Sequence, residues 1–418
     1  MTETSPKREV LRRLSNVALR GLSMGSRFVL LFALARYLEP EEVGLYGLVA
    51  ATLGFSMLVI GGDYYTYSQR ELISSPKERW SFVLQHQGLA TVLLYTALLP
   101  VQALIFVFEL LPYSVLLWFF ALLITEHLAQ ECNRVLIAMQ QQLWASMVLF
   151  IRMGIWVWVL LCLMVYAVVP VSLDTVFAFW FVGDLLALIV SVVLVKAQVP
   201  EWRWWPLDWP WVRAGFKVGL MFLFATLAFK ALQTIDRYFV EFWAGSELLA
   251  VYVLYSGVAM AVVSFLDSAV FAFLYPKLIA AWREQRYQDY QKVKKELWCS
   301  VLISSVLLAL SAGLLAPWVF EWIGKDIYNN QPELLWILLA GAVIYAVGMV
   351  PHYGLYARKA DKAIVFSHIT SLVVFVIVSF LCAEMLPLEA PAIGLAVAFV
   401  WMLFVKQYMY QRLPVDVI

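Results

Sequence analysis

The chain has 418 residues, of which 63% are hydrophobic and 14% charged, with a mean hydropathy of +0.81. Soluble domains run near about 45–50% apolar and about 25% charged, so in water this chain would expose an untenable apolar surface; lipid is the solvent that fits. A net charge of +1 gives no general attraction for nucleic acid, and only the distribution of charge along the chain is informative.

Met1 to Asn16 is polar and basic, and no short apolar stretch ends in a small-residue cleavage signature, so no removable signal peptide is expected. A helix needs about 20 mostly apolar residues to cross a bilayer core. Apolar runs and their breaks predict spans at 15–38, 43–62, 81–108, 113–138, 143–168, 174–197, 213–237, 247–275, 298–321, 333–357, 363–384 and 389–410. Twelve spans sort the charges. One side receives Lys7, Arg8, Arg12 and Arg13, then Arg70, Lys77 and Arg79, then Lys196, Arg203, Arg213 and Lys217. It also receives the cations between Lys277 and Lys295, then Arg358, Lys359 and Lys362, and finally Lys406 and Arg412. The other side has short acidic loops around Glu39–Glu42, Glu109, Asp174, Glu247, Asp326 with Glu333, and Glu384 with Glu389, with Lys325 as a clear cation among them. The positive-inside rule then predicts a multi-pass protein of the cell (inner) membrane with both termini cytoplasmic.

Two basic-side loops stand out. Glu201–Arg213 (EWRWWPLDWPWVR) carries five tryptophans and two prolines, and is expected to lie along the headgroup layer as an interfacial anchor. Trp282–Glu296 is polar and reads as a solvated helical extension of the eighth span. Cys132, Cys162, Cys299 and Cys382 sit in apolar runs and read as small buried hydrophobes, neither a disulfide framework nor a metal site.

The chain also repeats itself. ALARYLEPEEVGLYGLVAA from Ala33 returns as QTIDRYFVEFWAGSELLAVYVLYSGVA from Gln233: Arg36-Tyr37 matches Arg237-Tyr238, Glu42 matches Glu247, and Tyr46 matches Tyr252. This divides the chain into six-span lobes, 1–198 and 213–418, joined by the Trp-rich linker 199–212. Six is even, so the repeat is parallel about an axis along the membrane normal, an arrangement found in several transporter folds.

The segment LLFALARYLEPEEVGLYGLVAATLGF (Leu30–Phe55), the Ile235-Asp236-Arg237-Tyr238 stretch with Gly245, Glu247 and Tyr252, and the Tyr275-Pro276-Lys277-Leu278 exit are similar to Wzx-type O-antigen and polysaccharide flippases. These belong to the polysaccharide transporter family of the multidrug/oligosaccharidyl-lipid/polysaccharide exporter superfamily. The resemblance implies an all-α polytopic membrane protein, with two six-helix lobes around a central cleft working by alternating access. Its implied substrate is a polyprenyl-pyrophosphate-linked oligosaccharide, with polysaccharide polymerase and chain-length proteins as partners.

Ionisable residues at helix centres cost at least about 2.5–3.5 kcal/mol each on insertion scales, so they face a cavity or a partner. Arg27 and Lys230 precede the repeated Arg-Tyr pairs at similar depth in equivalent spans; with Arg152 they are candidates to bind a pyrophosphate-bearing glycan, the alternative being structural ion pairs. Glu126, Gln130 and Arg134 follow one helical stripe of the fourth span, with His127 and Glu131 on an adjacent one. Glu126, His127, Glu131, Asp184 and Asp267 are candidates for coupling to a proton or sodium gradient; a static network with Arg152 and Asp184 is the alternative. His352 and His368 read as interfacial. No Gly-rich phosphate loop, metal motif or large external loop argues for an ATPase, a metal site or an embedded polymerase or ligase, so no other cofactor is expected. A small-molecule exporter of the same superfamily remains the competing function.

Overall fold

The computed structural model describes residues 6–413, with the side chains of 6–13 and Ala225 outside the description; the described residues are helical and connecting segments with no strand. In chain order the helices are α1 Pro6–Tyr37, α2 Pro40–Gly61, the short α3 Tyr65–Ser74, α4 Lys77–Val107, α5 Tyr113–Ala138, α6 Gln142–Val165 and α7 Leu173–Gln198. They continue as α8 Trp209–Ala244, α9 Ser246–Arg283, α10 Tyr287–Ile323, α11 Pro332–Ala357, α12 Asp361–Ala383 and α13 Ala390–Arg412. Among the described residues 11 helices are long and apolar enough to cross a membrane, or 12 with the bent α8. The protein is thus an all-α multi-pass membrane protein. On α10, Ile303, Leu307, Leu310, Leu314 and Trp318 form an exposed apolar stripe that lipid would cover.

Local chemistry fixes the helix ends. Pro40 opens α2, with Glu41 and Glu42 in its first turn where the helix dipole favours anions, and Glu42 Oε2 accepts from the Glu39 backbone N–H at 3.3 Å. The Ser172 side chain caps α7 by accepting from the Thr175 N–H, and Gly324 closes α10 in the left-handed conformation. The polar segment Trp282–Glu296 divides differently from the sequence expectation. Helix α9 ends at Arg283, Gln285 adopts φ +57°, and the remainder is the first turns of α10, so the extension belongs to the ninth span. Of the cysteines, Cys162 and Cys299 are exposed and Cys132 and Cys382 half-buried; all four are free. The expectation of buried cysteines is therefore corrected: an apolar run facing lipid looks the same in sequence as one facing a core.

Two compact units emerge: Met1–Ala33 with Val49–Leu227, and Leu34–Leu48 with Ala228–Ile418. The tip of the first hairpin thus belongs with the second unit, and the first half of α8 with the first.

In the first unit the Trp-rich linker is bound as well as interfacial. Trp202, Trp204 and Trp209 are exposed, as an anchor requires. Gln85 brackets the backbone of Trp205, donating to its carbonyl and accepting from its N–H, each at 2.8 Å. Trp205 Nε1 donates to Ser81 at 3.0 Å. The Asp208 N–H donates to His86 Nε2 at 2.9 Å, which leaves His86 Nδ1 to donate to the Phe82 carbonyl at 2.8 Å. Asp208 Oδ1 in turn caps α8 by accepting from the Trp211 N–H at 2.9 Å. Trp211 is buried in an aromatic core with Tyr64, Phe82 and His86.

In the second unit the two copies of the repeated hairpin pack on one another. Gly44 lies against the backbone of Ser246 and Ala250, and a Cβ at Gly47 would overlap the Val253 side chain. Arg36 donates to the Trp322 carbonyl and lies over its ring, 4.6 Å from the centroid, while Lys325 donates to the Leu38 carbonyl at the end of α1. Lys325, an anomaly among acidic loops, is therefore a helix C-terminal cation. Gly47→Val is expected to destabilise by about 1–3 kcal/mol, because both helices are backbone-close there and neither can retreat. Thermal unfolding in detergent measures this; an unchanged midpoint would mean that the hairpins separate freely.

Candidate functional site

Two charged networks lie in the first unit, both centred on α5. One faces α1. Arg27 is half-exposed, and its Nη2 stands 3.6 Å from Oε1 of Glu126, whose side chain is 8% exposed. That distance is an ion pair without a hydrogen bond, so the guanidinium can take another anion. The same face of α1 carries Asn16, Arg20 and Ser23 at helical spacing: Arg20 donates to Ser146 Oγ at 3.2 Å, and Ser146 bonds Asn16.

Behind this pair Arg152 and Asp184 are buried, and Arg152 interacts electrostatically with Glu126, Asp184 and Arg27. Both carboxylate oxygens of Asp184, and Nε and Nη1 of Arg152, lack a hydrogen-bond partner among the described residues. Arg152 sits in a π turn, Ile151–Ile155, whose Arg152 carbonyl accepts from Trp156 Nε1 at 2.8 Å. Such turns recur at functional sites. A second π turn, Asp267–Phe271 in α9, opens on another of the singled-out residues.

The other face of α5 holds the second network. Tyr95 Oη and His127 Nδ1 are 2.7 Å apart, and His127 Nε2 is 4.0 Å from Glu131 Oε1. Glu131 accepts from Gln87 Nε2 at 2.9 Å and from Arg134 Nη1 at 2.6 Å, and Arg134 lies over the Tyr65 ring at 3.6 Å. The His127 ring is sealed against Gly61, where a Cβ would come within 2.7 Å of Nε2. Tyr95, Gln87 and Tyr65 were missed in sequence. Their signal is faint: Gln87 and Tyr95 are eight residues apart on one face of α4 within an otherwise apolar run.

Beside this network the turn between α2 and α3 puts Gly62 and Asp63 at φ +56° and +49°. This lets the Gly62 carbonyl approach Gly219 of α8, where a Cβ would meet it at 2.5 Å. Burial pushes the Asp63 carboxyl above the usual carboxylate range, against the opposing effects of the Thr226 hydrogen bond and the Arg134 charge. A raised value in the folded state means that Asp63 contributes fully below its unfolded value near about pH 4, and that this contribution is lost as pH rises through the raised value. Asp63→Asn is therefore expected to flatten the decline in thermal stability over that interval, read by unfolding in detergent at stepped pH. A mutant as pH-dependent as the parent would assign the decline to other groups.

Lys230 and Asp267 lie in the second unit. Lys230 is half-buried on α8, and its carbonyl accepts from Thr234 Oγ1 at 3.0 Å. Asp267 is exposed and interacts electrostatically with Tyr345 and Tyr353 of α11. In the repeated hairpin, Asp236 and Arg237 pair at 3.1 Å and Tyr252 Oη donates to Asp236 at 2.9 Å, so the matched Tyr252 has a structural task. His352 and His368 are half-buried, and their rings stack 6.0 Å apart within the second unit.

The fold has solved counterparts. A MATE structure in complex with MaD3S aligns with a TM-score of 0.65 at 17% identity, covering 98% of this chain and 96% of that one. An outward-facing multidrug resistance MATE family transporter of the MOP superfamily gives 0.64 at 15%, covering 98% and 96%. MATE in the bent conformation gives 0.58 at 16%, covering 98% and 97%. At these identities the likeness establishes the fold. No curated protein matches significantly. The family model for polysaccharide biosynthesis proteins matches residues 14–282, through both networks of α5 and the repeated hairpins. The chain therefore belongs to the polysaccharide biosynthesis protein family, as an all-α multi-pass membrane protein with a MATE-like fold.

Proposed function

We propose that this transporter flips a polyprenyl-pyrophosphate-linked oligosaccharide from the cytoplasmic to the outer leaflet, by alternating access, for assembly of a surface polysaccharide such as O-antigen, capsule or exopolysaccharide. The observation that carries the reading is Arg27, a half-exposed guanidinium held to a buried carboxylate at 3.6 Å, in a chain of a polysaccharide family. A diphosphate offers Arg27 a bidentate, charge-assisted partner that a single distant carboxylate does not. As Arg27 turns to the phosphate, Glu126 and Asp184 are left with Arg152 as the one cation between two carboxyl groups, and uptake of a proton or sodium ion restores the balance. The His127–Glu131 network is a second route for the coupling ion. Basic loops on one side support an inner-membrane topology with both termini cytoplasmic. The polymerase and chain-length proteins that consume the flipped substrate are the proposed partners.

A deletion strain tests the reading. Lipid-linked oligosaccharide accumulating in the cytoplasmic leaflet, with surface glycan lost and restored by the gene, is the expected result. Normal surface glycan without accumulation would overturn it in favour of small-molecule export.

A further inference from the structure

The second unit contains a group of basic side chains that the proposed transport cycle does not use. Three helices bring it together. A Cβ at Gly341 of α11 would meet Ala396 Cβ of α13 at 3.8 Å, and one at Gly348 would meet Leu403 Cβ at 3.7 Å; Gly354 lies against the Tyr410 ring. The two helices therefore run parallel in register, and His352 comes level with Lys406 and Gln407. Helix α12 runs the other way, with Trp401 Nε1 donating to Thr370 Oγ1 at 3.0 Å, which brings His368 within about a turn of the same level. The His352 and His368 rings stack 6° from parallel, and Phe229 covers His368 at 5.1 Å.

Lys406, counted in sequence among the loop cations, is instead 1% exposed inside α13. Its amine makes no ion pair with a described residue, and the ionisable groups that bear on His352 are Lys406 and His368, neither of them acidic. The Nδ1 of His352 is sealed without a partner. Asp267 bears on Tyr345 and Tyr353 rather than on these basic groups. A buried ammonium without a counter-charge is among the costliest arrangements in a membrane interior. An anion drawn from solution would compensate it, and the aromatic surroundings disfavour an ion of high charge, whose dehydration is far more expensive.

We propose that Lys406, His352 and His368 form a binding site for one small monovalent anion of the halide class within the second unit. Lys406 supplies the charge, and His352 an N–H donor. The site is separate from the Arg27 network, so it stands or falls independently of the flippase reading.

The test uses the full-length protein in detergent, with radioactive chloride binding and thermal unfolding measured in chloride, bromide, phosphate and gluconate at constant ionic strength. The parent is expected to bind chloride, and its midpoint to rise by about 2–4 °C in halide over gluconate. Lys406→Met is expected to lose both responses, Lys406→Arg to keep chloride binding, and His352→Leu to weaken it. A parent that binds no chloride overturns the proposal without any variant. So does chloride binding undiminished in both Lys406→Met and His352→Leu, and so does stabilisation by phosphate without halide. Should Lys406→Met fail to fold, the parent and His352→Leu decide the matter.

Discussion

Arg27→Gln is expected to abolish most transport while leaving the protein at normal levels in the membrane. Charged hydrogen bonds to a phosphate contribute about 1.5–3 kcal/mol, so their loss predicts about 10- to 150-fold slower flipping. The same substitution should barely alter folding. Arg27 is 52% exposed and its ion pair is too long for a hydrogen bond; partly solvated pairs of this kind contribute about 0–1 kcal/mol. Arg27→Lys keeps a point charge without the bidentate fork and should fall between the two. Glu126→Gln separates substrate binding from pairing. If Arg27 serves substrate, removing its carboxylate leaves substrate binding intact and reduces the dependence on the ion gradient. If both variants lose transport and stability in parallel, Arg27 is a structural partner of Glu126 and the phosphate role is wrong. Lys230→Gln in the same assay tests that residue's contribution to transport.

The second large effect concerns stability. Arg152→Met is expected to destabilise by about 3–5 kcal/mol, because it removes the buried cation that acts on Asp184 and leaves Glu126 to Arg27 alone. Asp184 is fully buried, so an ionised side chain there has no recourse to water. The double variant Arg152→Met with Asp184→Leu should recover most of that loss, since an apolar replacement of both members of a buried pair is often neutral. Recovery of stability without recovery of transport would assign the pair a part in coupling. Simple addition of the two single losses, measured by thermal unfolding, would instead mean that Arg152 and Asp184 do not compensate each other.

Sequence patterning carried the helices further than the sites. Twelve apolar runs emerged because lipid demands a length and composition that few soluble segments share, and α5 showed its two polar stripes because a 3.6-residue period separates Glu126 from His127 around one helix. Pairings across the fold were illegible. Nothing in the apolar run of α4 marks Tyr95 as the partner of His127, and nothing local joins Arg27 to Glu126. The two π turns leave no trace in composition, since one extra residue in a turn changes hydrogen bonding and not hydropathy. Lys406 was misplaced for a different reason. A cation near a helix end normally reaches the headgroup layer, and only the register of α11 against α13 reveals that this one points inward. Trp282–Glu296 was assigned to the wrong helix because a polar turn between two helices does not disclose where one stops.

The hairpin tip at 34–48 sets a timetable for biogenesis. Arg36 and Leu38 leave the ribosome well before their partners Trp322 and Lys325, which follow 286 and 287 residues later. The glycine face of α2 finds its partner once α9 has emerged, but the end of α1 stays unsatisfied throughout that interval. Insertion of the early spans must therefore tolerate an open hairpin, and the fold locks only after α10 has been threaded. A nascent chain arrested before α10 should remain sensitive to protease at the 34–48 turn, whereas one arrested after it should be protected.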